Sequence, residues 1–374
     1  MTALPLDGLL VVDFSTLLPG PLAGLVLAEA GARVIKVERP GSGDEMRSYE
    51  PRFATTSVNF ALLNRGKESL VADLKDPADK TTVRRLVDEA DVVIEQFRPG
   101  VMDRLGFGYD DVARTNPRVV YCSISGFGQT GKNVGVAGHD LNYLAVAGLL
   151  DLVRDSTGAP ALPPALIADI AGGAYPAVMN ILLAIVGRAT SGRGAHLDIS
   201  MTDNLFPLLY WALGNTLGAG RPPRPGGELV TGGSPRYQLY RTADDRFVAA
   251  APLEDRFWDR FCDLIGLDAP YRDDAADPEV TRAAVARLIA TRTGDSWAEA
   301  FAGEDVCCTV VRPVEEAIAD PTLSERGLFD HGLRRGEAAM PALPVPLAAA
   351  LRSAPAERPY PELGEHGELP GGRP

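Results

Sequence analysis

The chain has 374 residues, of which 45% are hydrophobic and 23% are charged, and its formal net charge is -13. This composition is typical of a soluble globular protein that is long enough for two domains. The acidic balance argues against a general attraction to nucleic acid or to anionic lipid, which both select clustered basic surface. An anionic ligand therefore needs a local basic site.

The four cysteines show neither the spacing of metal ligands nor a dense disulfide framework. We expect no metal site and a reducing, cytoplasmic environment. The N-terminal stretch MTALPLDGLLVVDF lacks the regions of a signal peptide, and no apolar run reaches the ~20 residues that cross a bilayer. We therefore expect no membrane partner and no nucleic-acid partner.

The first 125 residues alternate β-branched runs with helical patterns, in the order LLVVDF, PLAGLVLAEAG, ARVIKVE, DVVIEQF and RVVYCSIS. Such alternation predicts a parallel sheet wrapped by helices, which is an α/β fold. Pro21 suits the start of the first helix, and Gly31 lies just past its end.

Later segments change in character. Helical patterns follow His139 and Asp169, and the glycine and proline cluster at 218–235 predicts a linker. Beyond it, RYQLYRTADDRFVAAAPL predicts a hairpin that turns at 243–245. Helices near 254–265 and 279–302 and a buried strand at CCTVV complete a small α+β domain, whereas the final stretch GEHGELPGGRP has little to bury.

The stretch GFGQTGKN (126–133) matches both the G-x-G-x-x-G fingerprint and most of a P-loop. A P-loop needs Ser or Thr where this chain has Asn133, and Gly135 and Gly138 interrupt the helix that both motifs require. We interpret the stretch as a flexible glycine loop over a ligand. The chain also has no G-x-S-x-G elbow and no histidine pair with zinc spacing, which argues against serine hydrolases and zinc enzymes.

His139 follows Gly138 at the point where an apolar-periodic helix begins. The positive end of a helix dipole disfavours the protonated imidazole, and a neutral imidazole accepts a proton as a general base must. The alternative is that His139 only caps the helix or is satisfied in the core.

Asp169 precedes another helix, and Gly172 and Gly173 remove bulk from its first turn so that a ligand can approach the backbone. The alternative is an ordinary helix N-cap. Two ionisable groups on separate helix starts can flank one small carbon acid, while exposed N–H groups stabilise an oxyanion.

Six blocks of the chain together resemble family III coenzyme A transferases, the CaiB/BaiF family, from about residue 5 to residue 366. The blocks are DFSTLLPGPLAGLVLAEAGARVIKVERPGSGD, NRGKESLVADLK, DVVIEQFRPGVMDRLGFGYDDV, SGFGQTG, GHDLNY and RYQLYRTADDRFVAAAPLEDRFW.

The resemblance implies a Rossmann-like large domain at 1–217, to which 321–374 returns, a linker at 218–235 and a small α+β domain at 236–320. It also implies an interlocked homodimer and an acyl-CoA substrate, with no separate cofactor.

Two chemistries occur in this family. In the transferases, the residue that matches Asp169 attacks the thioester and forms an acyl anhydride. The 2-methylacyl-CoA racemases carry GHDxNY, as residues 138–143 do here, and the histidine and the aspartate exchange the α-proton. We therefore hypothesise a racemase or epimerase of 2-methylacyl-CoA thioesters. A CoA transferase is the alternative, and a non-catalytic acyl-CoA-binding protein is the third possibility.

The resemblance also implies roles for single residues. Glu254 matches a glutamate that hydrogen-bonds and orients the histidine, so the expected catalytic set is His139, Asp169 and Glu254. Tyr175 and Pro176 replace family residues and are expected to reshape the acyl channel. Basic side chains taken singly are more often solvated surface charges. The expected coenzyme A contacts are Arg39, Ala72, Lys75, Phe97, Arg98, Arg104, Gly138 and Asp140.

Overall fold

The structure is a computed structural model that describes residues 3–155 and 157–367. The chain forms two compact units. The first takes its described residues from Met1–Leu149, Pro163–Leu209 and Thr322–Pro374, and the second consists of Leu150–Leu162 and Tyr210–Pro321. The segment 218–235, where the sequence predicts a linker, belongs to the second unit.

The main sheet of the first unit has six strands, and a short two-stranded hairpin accompanies it. In chain order the strands are β1 (Leu10–Asp13), β2 (Arg33–Glu38), β3 (Arg52–Phe53), β4 (Thr56–Ser57), β5 (Glu68–Val71), β6 (Val92–Glu95), β7 (Val120–Ser125) and β8 (Ala195–Ser200). Strands β3 and β4 form the hairpin.

All neighbouring strands of the main sheet run parallel, in the spatial order β5-β2-β1-β6-β7-β8. Val11 in the central strand pairs with Val34 on one side and with Val92 on the other. Counted along the chain, the order is 3-2-1-4-5-6, which is that of Rossmann folds. The predicted α/β fold with a parallel sheet is confirmed, and the order reverses between β1 and β6, where such folds open a crevice.

Helices cover both faces of the sheet, which explains why β1 and β6 are buried along their whole length. The helices of the first unit are α1 (Pro19–Glu29), α2 (Val58–Asn64), α3 (Pro77–Glu89), α4 (Val101–Leu105), α5 (Tyr109–Thr115), α6 (Asp140–Ala147) and α8 (Tyr175–Ser191). A short helix, α7 (Leu149–Leu152), begins at a residue of the first unit, and its other residues belong to the second unit. As predicted, Pro21 lies in the first turn of α1, and Gly31 follows its end with a φ of 108°. That positive φ suits glycine.

A continuous helical segment runs from Ala168 to Ser191 and includes α8. Its first part, Ala168–Ala174, is wound as a π-helix, a local widening that is frequent at functional sites. Arg188 anchors the far end through an ion pair of 3.0 Å with Asp91.

Within residues 3–155 and 157–367, this helix is the one long and apolar enough to span a membrane. It was not predicted from the sequence, because polar residues such as Asn180 interrupt its apolar run. A single such helix is weak evidence of a membrane span, since the core helix of a soluble protein can meet the same criteria. Only 33% of its most apolar window is buried within the chain, however, so one face is left uncovered.

Two ion pairs lie wholly buried beneath the loop that follows β1. Lys36 Nζ is 2.9 Å from Asp44 Oδ2, and Lys67 Nζ is 3.2 Å from Asp13 Oδ2. Burial lowers the pKa of Lys67 to about 8 despite the attraction of Asp13, whereas for Lys36 the attraction of Asp44 and Asp13 outweighs burial and raises its pKa. The same Asp44 accepts the N–H of Leu17 at 3.2 Å, which holds Leu17 at a φ of 63°, a conformation rare for leucine.

The second unit contains an antiparallel sheet of β9 (Gln238–Arg241), β10 (Phe247–Ala250) and β11 (Cys308–Val310), in the order β11-β10-β9. Its helices are α9 (Tyr210–Leu213), α10 (Asp255–Ile265), α11 (Pro278–Ile289), α12 (Gly294–Phe301) and α13 (Val314–Ile318), and α14 (Pro321–Glu325) begins at its last residue. Trp258 and Trp297 anchor the core.

Two predictions for this unit need correction. The helix expected at 279–302 is two helices, because Thr293 caps α12 by accepting the N–H of Ser296. In the stretch CCTVV, Cys307 is exposed and precedes β11 instead of lying in a buried strand.

Residues 322–367 form part of the first unit. They contribute a small sheet of β12 (Gly332–Arg335), β13 (Ala338–Pro341) and β14 (Glu357–Arg358). The buried Arg65 donates to the carbonyl of Leu343 at 2.8 Å, and His366 N–H donates to the carbonyl of Ser69 at 3.0 Å. The start of the predicted tail is thus held against β5, and its last residues, 368–374, lie outside the described residues.

Candidate active site

A cavity of about 440 Å³ lies at the carboxyl edge of the main sheet, where the strand order reverses. The cavity is lined by residues that follow or end four strands: Leu17 and Pro19 after β1, residues 96–99 after β6, residues 124–127 at the end of β7, and Met201 after β8. Loop 134–138, the start of α6 and Asp169 complete the lining. The fold thus provides the floor of the cavity, and two helix starts provide ionisable groups.

His139 is the N-cap residue of α6, and its exposed side chain lines the cavity. The side chain of Asn142 accepts the backbone N–H of His139 at 3.0 Å, and Asn142 N–H donates to the His139 carbonyl at 2.8 Å. Asn142 thus secures this helix start through its side chain and its backbone N–H, and His139 is both the N-cap of α6 and a lining residue of the cavity.

Asp169 is the second residue of the π-wound segment, and its side chain also lines the cavity. Its backbone N–H donates to Asp140 Oδ1 at 2.9 Å. Burial, and secondarily the charge of Asp140, raises the pKa of the Asp169 carboxyl to about 7. A carboxyl group with such a pKa can both donate and accept a proton near neutrality. Asp169 is also not the N-cap of the alternative interpretation, because the N-cap residue of this segment is Ile167.

Tyr143 connects the glycine loop to α6. A Cβ atom on Gly126 would lie 2.3 Å from the Tyr143 ring, and one on Gly138 would lie 2.8 Å from it, so both positions require glycine. The Tyr143 hydroxyl donates to the Gly138 carbonyl, and burial, with the charges of Asp169 and Asp140, raises its pKa to about 12. The helix after this loop begins only at Asp140, in agreement with the rejection of a P-loop.

Gly172 and Gly173 have a different role from the one predicted. A Cβ atom on Gly172 would lie 2.4 Å from the carbonyl oxygen of Met201, and one on Gly173 would lie 3.0 Å from Pro19 Cβ. Both glycines are buried. They allow the helix to pack closely on the chain that leaves β8, and this packing, rather than access for a ligand, explains them.

The predicted coenzyme A contacts are distributed along the same edge of the sheet. Phe97, Arg98 and Gly138 line the cavity. The other predicted basic contacts are exposed: Arg39 after β2, Lys75 after β5 and Arg104 in α4. Ala72, directly after β5, is buried. Their contacts with coenzyme A stay predictions. Asp140 is also buried, and its carboxylate is engaged by the N–H of Asp169.

Glu254 belongs to the second unit, where it is the exposed N-cap residue of α10. Its contact with His139 stays a prediction. Among residues 3–155 and 157–367, no group of three or more His, Cys, Asp or Glu side chains is placed to hold a metal ion.

Sequence reasoning missed several residues of the cavity. Asn142 stands three positions after the N-cap, which is the spacing of a capping box and was visible in GHDLNY. Leu17 and Gln96 follow strands whose carboxyl ends meet at the crevice, a signal that topology alone supplies. Nothing in the local sequence pointed to Met201.

Comparisons with known proteins agree with this fold. The family model "CoA-transferase family III" matches residues 6–367. The chain is 36% identical to alpha-methylacyl-CoA racemase from Homo sapiens over 97% of this chain and 91% of that protein. It is 34% identical to acetyl-CoA:oxalate CoA-transferase from Acetobacter aceti, over 97% of this chain and 94% of that protein. A crystal structure of a CaiB/BaiF family protein from Brucella suis superposes with a TM-score of 0.83 at 30% identity and covers 98% of both chains.

The raised pKa of Asp169 predicts a pH-dependent effect on stability. Because this pKa rises from 3.8 to about 7 on folding, the folded state holds the proton more tightly, and the associated stability is lost as the pH rises through about 7. Asp169→Asn stays neutral. We therefore compare the free energy of unfolding of Asp169→Asn with that of wild type at two pH values. The difference in favour of the variant should be larger at about pH 8 than at about pH 5, by on the order of 2 kcal/mol. Urea unfolding at the two pH values measures this difference.

The matched control is Asp203→Asn, since Asp203 is exposed. It should change stability equally little at both pH values. An Asp169→Asn effect that is the same at both pH values would contradict a raised pKa.

Proposed function

The chain belongs to CoA-transferase family III, and on that premise we propose that it is a racemase or epimerase of 2-methylacyl-CoA thioesters. One observation carries the proposal. His139 and Asp169 line a single cavity, and the Asp169 carboxyl has a pKa of about 7. A proton acceptor and a proton donor are thus both available near neutral pH.

The proposed reaction exchanges the α-proton between the two side chains. The imidazole of His139 removes the proton from the α-carbon, and the C–H electron pair moves toward the thioester oxygen to give an enolate. The carboxylic acid of Asp169 then delivers its proton to the opposite face of the α-carbon. The roles reverse for the other enantiomer, so no metal or organic cofactor is needed.

The enolate oxygen needs stabilisation, because a thioester α-proton is only weakly acidic. The N–H groups of Asp140 and Leu141, the first two residues of α6, lie at the positive end of its dipole, next to His139. We assign them the stabilisation of the enolate oxygen. Glu254 is proposed to orient His139, and the second unit is proposed to be the small domain of the family.

A CoA transferase is the second candidate, since a relative with that activity in its name is 34% identical. In that reaction Asp169 attacks the thioester carbon and must be ionised. A pKa of about 7 leaves about half of the carboxyl ionised at neutral pH, so this value is compatible with both reactions, and the histidine at position 139 in GHDLNY is what favours the racemase.

Coenzyme A binding is proposed for the edge of the sheet. Arg39, Lys75, Arg98 and Arg104 supply positive charge for the nucleotide phosphates, and Ala72, Phe97 and Gly138 complete the proposed set. The buried carboxylate of Asp140, also in the predicted set, is instead occupied by the N–H of Asp169. We also propose a cytoplasmic location without nucleic-acid or membrane partners. The four unpaired cysteines support a reducing compartment.

A homodimer is proposed as the functional form. Three apolar residues, Met179, Leu183 and Val186, form a stripe along α8. Their exposed fractions are 61%, 68% and 71%, respectively. An exposed apolar stripe of this kind marks an interaction surface. A second copy of the chain is the proposed occupant.

The racemase proposal predicts exchange and inversion together. A single enantiomer of a 2-methylacyl-CoA in deuterated water should gain deuterium at the α-carbon and convert to the other enantiomer, as proton NMR and chiral chromatography would report. His139→Ala and Asp169→Ala should each lower the rate about 100-fold or more, because each removes one partner in proton transfer. Matched controls are His196→Gln and Asp203→Asn, which should retain activity since neither residue lines the cavity.

A transferase would behave differently. It would move coenzyme A to a free carboxylic acid, form an acyl adduct on Asp169 detectable by mass spectrometry, and tolerate His139→Ala. Such transfer without α-exchange would eliminate the racemase proposal.

The dimer proposal predicts that the protein sediments at twice the chain mass at micromolar concentration. Leu183→Glu should reduce the dimer fraction, because it introduces a charge into the apolar stripe, whereas Val280→Glu, at an exposed position of the second unit, should not. Sedimentation velocity with and without lipid vesicles measures both. A wild-type monomer, or a chain that sediments only with vesicles, would contradict the dimer.

A further inference from the structure

Asp140 occupies an unusual position between the two proposed catalytic side chains. It follows His139 directly in the chain, and its carboxylate accepts the backbone N–H of Asp169 at 2.9 Å. Only 5% of the residue is exposed. A coenzyme A contact, the role that family resemblance suggests, does not account for a buried carboxylate turned toward the acid of the active site.

We propose that Asp140 is a positioning residue that fixes the backbone of Asp169 against the start of α6, and that its carboxylate acts on Asp169 both through this hydrogen bond and through its negative charge. The inference rests on the proposed function, because it explains how Asp169 retains a proton to donate. It assigns two separable roles to one side chain, a hydrogen bond and a charge.

The electrostatic role fits the surroundings of Asp169. The elements that pack against Ala168–Ala174 are α1, α6, α8, β8 and the 3-10 turn Asp203–Leu209. The ionisable side chains of these elements are Glu29, Asp140, Tyr143, Tyr175, Arg188, His196, Asp198 and Asp203. His139, the N-cap of α6, and the cavity-lining Arg98 add to this set. Of these, Asp140 is the group whose charge, after burial, raises the pKa of Asp169.

Two substitutions separate the hydrogen bond from the charge. Asp140→Asn preserves size and an oxygen that accepts the N–H of Asp169 but removes the charge. Asp140→Ala removes both. Asp203→Asn is the matched control, because it removes a carboxylate from a neighbouring segment that makes no such contact with Asp169.

The experiment has two readouts. Carbon-13 NMR of the side-chain carboxyl of Asp169 in the free protein reports its titration without substrate, and the pH profile of α-exchange reports it during turnover. Asp140→Asn should move the Asp169 midpoint down by about one pH unit and shift the exchange profile with it, at a nearly unchanged maximum rate. Asp140→Ala should also lower the maximum rate about 10-fold or more, since the acid is no longer held in place.

Two results would overturn the inference. One is an Asp169 midpoint that does not move in Asp140→Asn. The other is a rise in the KM for the thioester in Asp140→Asn with an unchanged pH profile, which would make Asp140 a coenzyme A contact. If the wild-type protein catalysed no α-exchange, the proposed function would fail, and the NMR titration would still decide whether Asp140 controls the protonation of Asp169.

Discussion

One hydrogen bond connects the two segments that carry the ionisable groups of the cavity. The N–H of Asp169 donates to the carboxylate of Asp140, which is the neighbour of His139. Because the contact is buried, it fixes geometry and also places a negative charge near a second carboxyl, whose pKa rises to about 7. Burial is the larger cause of this rise, and the charge of Asp140 adds to it.

The parallel sheet supplies the remainder of the cavity. The carboxyl ends of β1, β6, β7 and β8 meet at one edge, and the loops that leave them form the floor and walls. The buried pair of Lys36 and Asp44 stiffens the first of these loops and keeps Leu17 in a strained conformation at the cavity wall. Strain of this kind, of order 1–3 kcal/mol, persists only where surrounding contacts determine it, and it is concentrated at functional sites.

The sequence was sufficient for the parts that depend on local pattern. Alternating β-branched and helical runs predicted the parallel sheet, and the apolar period after Gly138 predicted the start of α6. The remainder depends on contacts between distant segments. Gly172 lies against Met201, and Asp140 lies against Asp169, so neither role can be deduced from neighbours in the chain. The apolar face of α8 was missed for a related reason, since exposure follows from which side of a helix the sheet covers.

The central claim is that two bases work on opposite faces of one α-carbon, and the most direct test is the isotopic content of both enantiomers early in the reaction. A single enantiomer that carries ordinary hydrogen at the α-carbon is incubated in deuterated water until less than about 10% of it has been converted. Substrate and product are then separated and analysed by mass spectrometry. If His139 and Asp169 act as a pair, the product carries one solvent deuterium and the recovered substrate carries almost none. Equal deuterium in both, or a product that retains its original proton, would show that a single base serves both faces.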